Sequence, residues 1–144
     1  MKDKIFIDTN IFVYATLKPK NELDKKKHLQ ANNLLESIQE LNVVVSVQVL
    51  NEFYNSLLKY GVDDRKIQEK LYQIVDVVFV APLILNTVIK AWHIKERYKF
   101  SYWDSLIVAS ALENDCSILY TEDMQDGQII EDKLKIINPF NLGD

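Results

Sequence analysis

The sequence predicts an α/β fold of three layers, in which helices flank a mostly parallel, five-stranded sheet. Two patterns along the 144 residues lead to this prediction. Short runs of aliphatic and β-branched residues alternate with longer stretches of helical periodicity, which is typical of parallel α/β domains. The apolar runs are continuous rather than alternating, as expected for strands covered on both faces. Because this length corresponds to about one domain, we expect a single domain over residues 1–144.

The expected strands are short, apolar and rich in Ile and Val, two residues that favour extended structure. They are Lys4–Ile7, Val43–Val45, Val77–Val80, Ile118–Tyr120 and Leu134–Ile137. Each is bounded by polar or turn-forming residues, and Pro139 stands just beyond the last one.

Six helices are predicted between these strands, each with an apolar stripe at helical spacing. They cover Asn10–Leu17, Leu23–Leu41, Ser46–Tyr60, a segment capped by Asp63 or Asp64 that ends near Val75, Leu83–Tyr98 and Ser101–Asn114. Ser46 and Ser101 stand where N-caps are expected, and Gly61 stands where a helix should end. The last helix is apolar nearly all round, which predicts that it is buried.

The composition excludes several classes of protein. Cys116 is the single cysteine, so the chain has neither a disulfide framework nor a cysteine-based metal site. The apolar run near the start is too short for the core of a signal peptide. No stretch approaches the roughly 18 apolar residues that a membrane span requires. We therefore expect a cytoplasmic protein.

Four acidic residues from distant parts of the chain are candidates for a shared site. Asp8 directly follows the first predicted strand, and Asp123 follows the fourth. Glu52 lies in the second turn of the helix after the second strand, and Asp104 opens the buried helix. Because function collects at the carboxyl ends of parallel strands, we expect these side chains to converge at one edge of the sheet.

Each acid also has a purely structural explanation. Asp8 could cap the helix after it, and Asp123 could form a turn. Asp104 could complete a capping box with Ser101, and Glu52 could be a solvated helix residue. The coincidence of all four positions favours a site, and the capping and site roles of Asp104 are compatible.

Converging carboxylates need a cation, because like charges repel and burial disfavours the ionised form. Oxygen ligands without His or Cys suit Mg²⁺ or Mn²⁺ rather than Zn²⁺. Such clusters commonly serve phosphoryl chemistry, in which a metal activates a water molecule and stabilises the leaving oxygen. The chain has no Ser-His-Asp set, Cys-His pair or Walker-type glycine loop that would indicate another chemistry.

Four motifs, in this order and at this spacing, resemble the PIN-domain family over nearly the whole chain. They start at Ile5, Ser46, Trp103 and Leu119 and read IFIDTN, SVQVLNE, WDSLIVASA and LYTED. The resemblance implies a single PIN-like domain that acts as an endoribonuclease dependent on Mg²⁺ or Mn²⁺. It also implies the metal ligands, direct or through water, which are Asp8, Glu52, Asp104 and Asp123.

The same resemblance assigns supporting residues and partners. Asn10 and Thr121 match polar positions that support the site, and Asp126 is an alternative to Asp123 as the fourth acid. The small size resembles VapC-type toxins of toxin–antitoxin pairs. Those proteins cleave RNA, are blocked by a cognate antitoxin and are usually dimers, so we expect the same three properties here.

Because the net charge is −4, the protein as a whole does not attract RNA, and an RNA substrate would have to bind to local clusters of basic residues. The candidates are Lys18, Lys20, Lys25, Lys95, Arg97 and Lys99. Lysine runs are also common on solvated faces. Tyr102 and Trp103 offer rings on which a base could stack, but we expect them to be buried by packing.

Three other interpretations of these residues remain open at the level of sequence. A phosphatase of the haloacid-dehalogenase type also begins with a strand ending in Asp, but its second acid would stand where this chain has Asn10. A PIN-like domain that binds RNA or protein without cutting predicts a broken acid set, whereas all four acids are present. The third interpretation keeps the fold and the metal but makes DNA the substrate. The sequence does not decide between RNA and DNA, because that choice depends on contacts to the 2′-hydroxyl.

Overall fold

A six-stranded sheet forms the centre of the computed structural model, which describes residues 3–141. Its strands are β1 (Lys4–Ile7), β2 (Asn42–Ser46), β3 (Phe79–Ala81), β4 (Ile118–Tyr120), β5 (Ile129–Ile130) and β6 (Leu134–Ile137). They lie in the order β3-β2-β1-β4-β6-β5, and every neighbouring pair is parallel except β5 with β6. The predicted α/β fold with a mostly parallel sheet is confirmed, with six strands instead of five.

The strand that the sequence does not predict is β5, which has only two residues. It returns to β6 through a tight turn in which Glu131 and Asp132 both have positive φ, 54° and 56°. Such turns are usually signalled by a glycine, and none stands here. The third strand begins two residues later than predicted, because the Val77 N–H still bonds to Ile74 in the turn that ends the preceding helix.

Six helices flank the sheet, which confirms their predicted number. They are α1 (Thr9–Thr16), α2 (Glu22–Ser37), α3 (Val47–Lys59), α4 (Asp64–Val75), α5 (Leu85–Tyr98) and α6 (Tyr102–Glu113), followed by a short 3₁₀ helix over Pro139–Asn141. Helix α2 ends earlier than predicted. The Ser37 hydroxyl donates to the Leu34 carbonyl at 2.7 Å, and the Leu41 N–H then closes a turn onto Ile38.

Capping side chains set the starts of several helices. Ser101 accepts a backbone N–H at the start of α6, and Asp63, rather than Asp64, does so at α4. Ser46 occupies the N-cap position of α3, but its hydroxyl makes no capping bond. Gly61 follows α3 with a φ of 79°, a conformation that glycine adopts without strain, so the predicted end of this helix is confirmed.

Helix α6 is the most buried helix of the fold, as its composition predicts. All its residues from Ser105 to Leu112 are buried. Ile107, Val108, Ala111 and Leu112 belong to the main core, which also contains the fully buried side chains of Phe6, Phe53 and Leu119. On its other side, α6 packs Leu106 and Ala109 against Ala91 of α5. Because α6 is held by this core, its first turn, which carries Asp104, has a defined position relative to β1 and β4.

The strand order creates a crevice between β1 and β4. The chain passes from β1 to β2 on one side and later returns to β4 on the other, which makes this point the topological switch of the sheet. Ile7 pairs with Tyr120, so Asp8 and Thr121 stand side by side just beyond the strands.

Among the helices of residues 3–141, none combines the length and the apolar character that crossing a bilayer requires.

Candidate active site

Three of the four predicted acids meet at the switch point of the sheet. Asp8 follows β1, Asp123 follows β4, and Asp104 lies in the first turn of α6. Each contributes one carboxylate oxygen to a group in which all the oxygens lie within 4.8 Å of one another. Asp8 is buried, Asp104 is half-buried and Asp123 is exposed, so the cluster runs from the core to the surface.

The Asp8 carboxylate is fixed by two hydrogen bonds. One oxygen accepts the Thr9 backbone N–H at 2.7 Å, which is the capping bond of α1. The other accepts the Thr121 hydroxyl at 2.7 Å. The capping interpretation of Asp8 is confirmed, and the same carboxylate faces the other acids, so its geometry is compatible with both interpretations.

Glu52 stands beside this cluster and is held by two neighbouring side chains. The Thr9 hydroxyl donates to one of its oxygens at 2.9 Å, and the Gln48 amide approaches the other at 3.4 Å. The same Gln48 amide donates to the Trp103 carbonyl at 3.1 Å, which links α3 to the residue before Asp104. Glu52 is thus oriented toward the site, although it lies outside the close group of three oxygens.

Asn10 and Thr121 support the loop that carries Asp123. The Asn10 amide nitrogen donates to Asp123 at 3.0 Å, and its oxygen accepts the Glu122 N–H at 3.4 Å. The Thr121 hydroxyl accepts the Asp123 N–H at 3.1 Å while donating to Asp8. These contacts are compatible with the supporting roles that the family resemblance implies for both residues.

Asp126, the alternative fourth acid, faces elsewhere. Its carboxylate accepts the backbone N–H of Asn138 at 2.8 Å and fixes the end of β6. Among the described residues, the close group of oxygens includes Asp123 and does not include Asp126. Geometry therefore favours Asp123 as the fourth acid.

Burial and neighbouring negative charges raise the pKa values of Asp8 and Asp104. Burial raises the pKa of Asp8 from an ordinary 3.8 to about 7, and the charges of Asp123 and Glu52 act in the same direction, against the two hydrogen bonds. Burial also raises the pKa of Asp104, with further contributions from Asp123 and Glu52. The site thus concentrates negative charge where water screens it poorly.

The donor set fits a hard divalent cation. The three clustered acids supply carboxylate oxygens, and no Cys or His belongs to the group. Within residues 3–141, neither lysine nor arginine forms an ion pair with these three carboxylates within 4.0 Å. A bound cation of the Mg²⁺ or Mn²⁺ type would supply the missing positive charge, so the residues present are chemically suited to one.

Thr9 and Gln48 are site residues that the sequence analysis does not single out. Thr9 stands between the predicted residues Asp8 and Asn10, and its hydroxyl reaches Glu52 only because α1 and α3 are in contact. Gln48 lies four residues before Glu52 on the same helix, so their side chains share a face. That spacing is the one signal from which Gln48 could have been predicted.

A groove of about 710 Å³ opens over the acids, and only some of the predicted basic residues line it. Lys18 and Lys20 do, together with Lys59, which the sequence analysis does not select. The other four predicted basic residues, Lys25, Lys95, Arg97 and Lys99, are absent from its lining. Arg97 instead forms an ion pair with Glu131 at 2.9 Å, at the β5–β6 turn.

The two aromatic residues before Asp104 have different environments. Tyr102 is half-buried against Ala91 and Leu106, as packing predicts. The expectation of burial is wrong for Trp103, which is 62% exposed. Its position explains this result, because residues 102 and 103 lie in the first turn of α6, and only the following residues reach the core.

Several solved structures have a fold similar to that of this chain. A toxin–antitoxin complex from Klebsiella pneumoniae is 17% identical, has a TM-score of 0.68 and covers 94% of this chain and 97% of its own. VapBC2 from Rickettsia felis, bound to a fragment of its promoter DNA, is 18% identical with a TM-score of 0.67, covering 94% and 99%. VapC20 from Mycobacterium tuberculosis, a toxin that cleaves the sarcin–ricin loop, is 20% identical with a TM-score of 0.63, covering 80% and 86%.

Because these proteins share 20% or less of their sequence with this chain, the likeness shows the fold alone. No curated protein sequence matches the chain. The sequence profile of the PIN domain, however, matches residues 5–125, which include all four predicted acids. That match leaves no support for the haloacid-dehalogenase interpretation of the strand that ends at Asp8. The chain belongs to the PIN domain family.

Proposed function

We propose that this chain, as a single PIN-like domain over residues 1–144, is a metal-dependent endoribonuclease that hydrolyses RNA phosphodiester bonds. The observation that carries the proposal is the convergence of Asp8, Asp104 and Asp123, whose oxygens lie within 4.8 Å of one another beneath an open groove. A family member that only binds RNA has no need for this cluster, because its mutual repulsion and burial cost stability.

Glu52 has a different proposed role from the other three acids, because it lies outside the close group of oxygens. Asp8, Asp104 and Asp123 would hold Mg²⁺ or Mn²⁺, and Glu52 would contact it directly or through water. When bound, the cation would activate a water molecule and balance the negative charge that develops on the phosphoryl and leaving oxygens. Thr9 and Thr121 donate hydrogen bonds to the carboxylates of Glu52 and Asp8, so these two acids are already oriented before the reaction.

Asn10 keeps the exposed Asp123 directed toward the other acids. An exposed carboxylate on a loop would otherwise sample several rotamers, and each would remove an oxygen from the cluster. The hydrogen bond at 3.0 Å therefore positions the most exposed of the three clustered acids.

We further propose that the protein is the toxin of a toxin–antitoxin pair, that a cognate antitoxin protein binds it, and that it forms a homodimer. The support is the likeness of fold to the VapBC2 and Klebsiella pneumoniae complexes, over at least nine-tenths of both chains. A stand-alone PIN domain with a role in RNA processing, or one that binds RNA or protein without cleavage, is the alternative. The intact acid set favours an enzyme, and an adjacent antitoxin gene would favour the toxin.

The experiment is a cleavage assay with purified protein on a panel of unstructured and structured RNAs and single-stranded DNAs. Reactions contain Mg²⁺, Mn²⁺ or EDTA. We expect RNA cleavage with either metal and none with EDTA. Asp104→Asn should reduce the rate by more than about 100-fold, since even partners outside the ligand shell typically cost 10- to 100-fold.

Asp126→Asn is the matched control, because Asp126 is a nearby acid on the same loop that does not join the cluster. It should cleave at close to the wild-type rate. Wild-type activity in Asp104→Asn would refute the assignment of the site. Cleavage of DNA in preference to RNA would correct the substrate class while leaving the metal chemistry in place.

A further inference from the structure

The groove above the acids also has a basic and aromatic part, formed by Lys18, Lys20, Lys59 and Tyr60 and called here the basic end. Lys18 and Lys20 come from the connection between α1 and α2, and Lys59 and Tyr60 come from the end of α3. These residues are adjacent only in the folded chain. The same groove therefore combines an acidic cluster with a cationic surface, although the protein as a whole has a net charge of −4.

The lysines of the basic end are exposed and form no ion pair with a described carboxylate. None of Lys18, Lys20 and Lys59 pairs with a carboxylate of residues 3–141 within 4.0 Å. Two acids besides the four candidates also line the groove, namely Asp24 and Glu122, and Glu122 is paired with Lys27. Unpaired lysines in a concave surface attract polyanions, and nucleic acid is the polyanion that the proposed reaction requires.

Tyr60 is the aromatic part of this surface. It is the C-cap residue of α3, directly before Gly61, and the turn at Gly61 takes the chain away from it. The ring is left 60% exposed, and the ammonium group of Lys20 lies 5.8 Å from its centroid. An exposed ring with cations beside it is the arrangement on which an unpaired base stacks while its phosphate is held.

We propose that the basic end binds the part of a single-stranded RNA that flanks the cleaved bond, with one unpaired base stacked on Tyr60 and phosphates on Lys18, Lys20 and Lys59. This inference rests on the proposed function and adds the substrate class and the side of the groove along which the strand runs. Duplex RNA does not meet the requirement, because its bases are already stacked and paired.

The distance along α3 limits how many nucleotides separate the stacked base from the cleaved bond. Glu52 and Tyr60 are separated by about 12 Å along the helix axis, at about 1.5 Å per residue. Stacked nucleotides are about 3.4 Å apart along one strand, and extended ones are farther apart. The base on Tyr60 therefore lies within about four nucleotides of the cleaved bond.

The test is RNA binding, measured by fluorescence anisotropy with a short, unstructured, fluorescein-labelled RNA of mixed sequence in EDTA, so that no strand is cut. Tyr60→Leu removes the ring and keeps an apolar side chain, whereas Tyr60→Phe keeps the ring. We expect Tyr60→Leu to weaken binding at least about fivefold and Tyr60→Phe to bind within about twofold of the wild type. Tyr72→Leu is the matched control, because Tyr72 is a 69% exposed tyrosine on α4, away from the groove.

The salt dependence of RNA affinity distinguishes the contribution of the lysines from that of the Tyr60 ring. Lys59→Ala should reduce the slope of log affinity against log salt by about 0.7, while Tyr60→Leu should leave the slope unchanged. Lys66→Ala, an exposed lysine on α4, is the control and should behave as the wild type.

Wild-type affinity in Tyr60→Leu, or equal binding of the duplex form of the same RNA, would overturn the inference. If that protein still cleaves RNA with metal, the proposed function stands and the inference alone falls. Binding that depends on Tyr60 in a protein that cleaves nothing would leave the basic end as an RNA-binding surface and overturn the claim that the bound strand flanks a cleaved bond. A wild-type protein that does not bind single-stranded RNA in EDTA would overturn the inference, and the cleavage assay with metal then decides the proposed function separately.

Discussion

At the scale of single residues, Asp8 has two roles that make opposite demands. It caps α1 and holds Thr121, both of which favour an ionised carboxylate, yet it is buried beside two other acids. The balance raises its pKa to about 7, so burial and repulsion outweigh the hydrogen bonds in the absence of metal. The site is therefore built for a bound cation at some cost to the stability of the metal-free fold.

We predict that the metal-free protein loses stability as the pH rises through the pKa of Asp8. The folded state binds this proton more tightly than the unfolded chain, so the contribution is fully present below about pH 4 and lost above about pH 7. Between pH 5 and pH 8 the loss from this residue is about 2–3 kcal/mol, from a folded pKa of about 7 and an unfolded one of 3.8. Chemical denaturation in EDTA at both pH values measures it.

Asp8→Asn should remove this part of the pH dependence and be more stable than the wild type at pH 8. Glu69→Gln, which removes an exposed acid on α4, controls for net charge and should have little effect. If Asp8→Asn is instead less stable than the wild type at pH 8, capping outweighs repulsion and the electrostatic account of the cluster is wrong.

The positions of Asp8, Asp104 and Asp123 after strands or in a first helical turn were enough to predict that these acids lie close together, whereas Asn10 and Thr121 were selected by the family resemblance. The sequence does not single out Thr9, Gln48, Lys59 or Tyr60, because their neighbours in space come from other elements. The exposure of Trp103 is missed for a similar reason. Whether a ring in the first turn of a helix reaches the core depends on where the helix sits, and the local pattern does not contain that information.

At the scale of secondary-structure elements, α6 links the core to the site. Its eight buried residues from Ser105 to Leu112 hold it, and Ser101 caps its N-terminus. The Asp104 N–H donates to the Ser101 hydroxyl at 3.1 Å, so the acid at the third position of the helix is placed by this cap. Structural and site roles are compatible for Asp104, as the sequence analysis expects.

We predict that Ser101→Ala lowers the free energy of unfolding by about 1 kcal/mol, which is typical for a lost N-cap. RNA cleavage should persist, because buried side chains hold the rest of α6 in place. Ser117→Ala is a suitable control, since Ser117 has an exposed hydroxyl contact of only 3.5 Å outside any helix. Loss of cleavage in Ser101→Ala without loss of stability would show that the cap acts on Asp104 rather than on the helix.

Elements with a strong local pattern are predicted well, and those decided by tertiary contacts are not. Strands β1, β4 and β6 match their predicted bounds, because they are continuous apolar runs with clear polar limits. Strand β5 is too short to carry a pattern, and it exists because β6 offers it a partner. Helix α2 ends where Ser37 bonds back to its own helix, a competition that periodicity does not reveal.

At the scale of the whole molecule, the convergence of the acids follows from the strand order. A parallel sheet that starts at β1 and continues on both sides of it must bring the segments after β1 and β4 together. The rule that ligands bind at the carboxyl ends of strands was therefore enough to predict where the acids converge, but not that Glu52 lies outside the close group of three oxygens. It could not predict the basic end, because Lys18, Lys20 and Tyr60 are brought together by helix packing and not by the sheet.

The central claim is that the acids at the switch point form a binding site for a divalent cation. Its most direct test is a titration of purified protein with Mn²⁺, in which the electron paramagnetic resonance signal of free Mn²⁺ reports the bound fraction. The account predicts saturable binding by the wild type and by Asp126→Asn, and affinity at least about 10-fold weaker in Asp8→Asn and Asp104→Asn. Equal Mn²⁺ affinity in the wild type and in those two variants would contradict it, because the cation would then be held elsewhere.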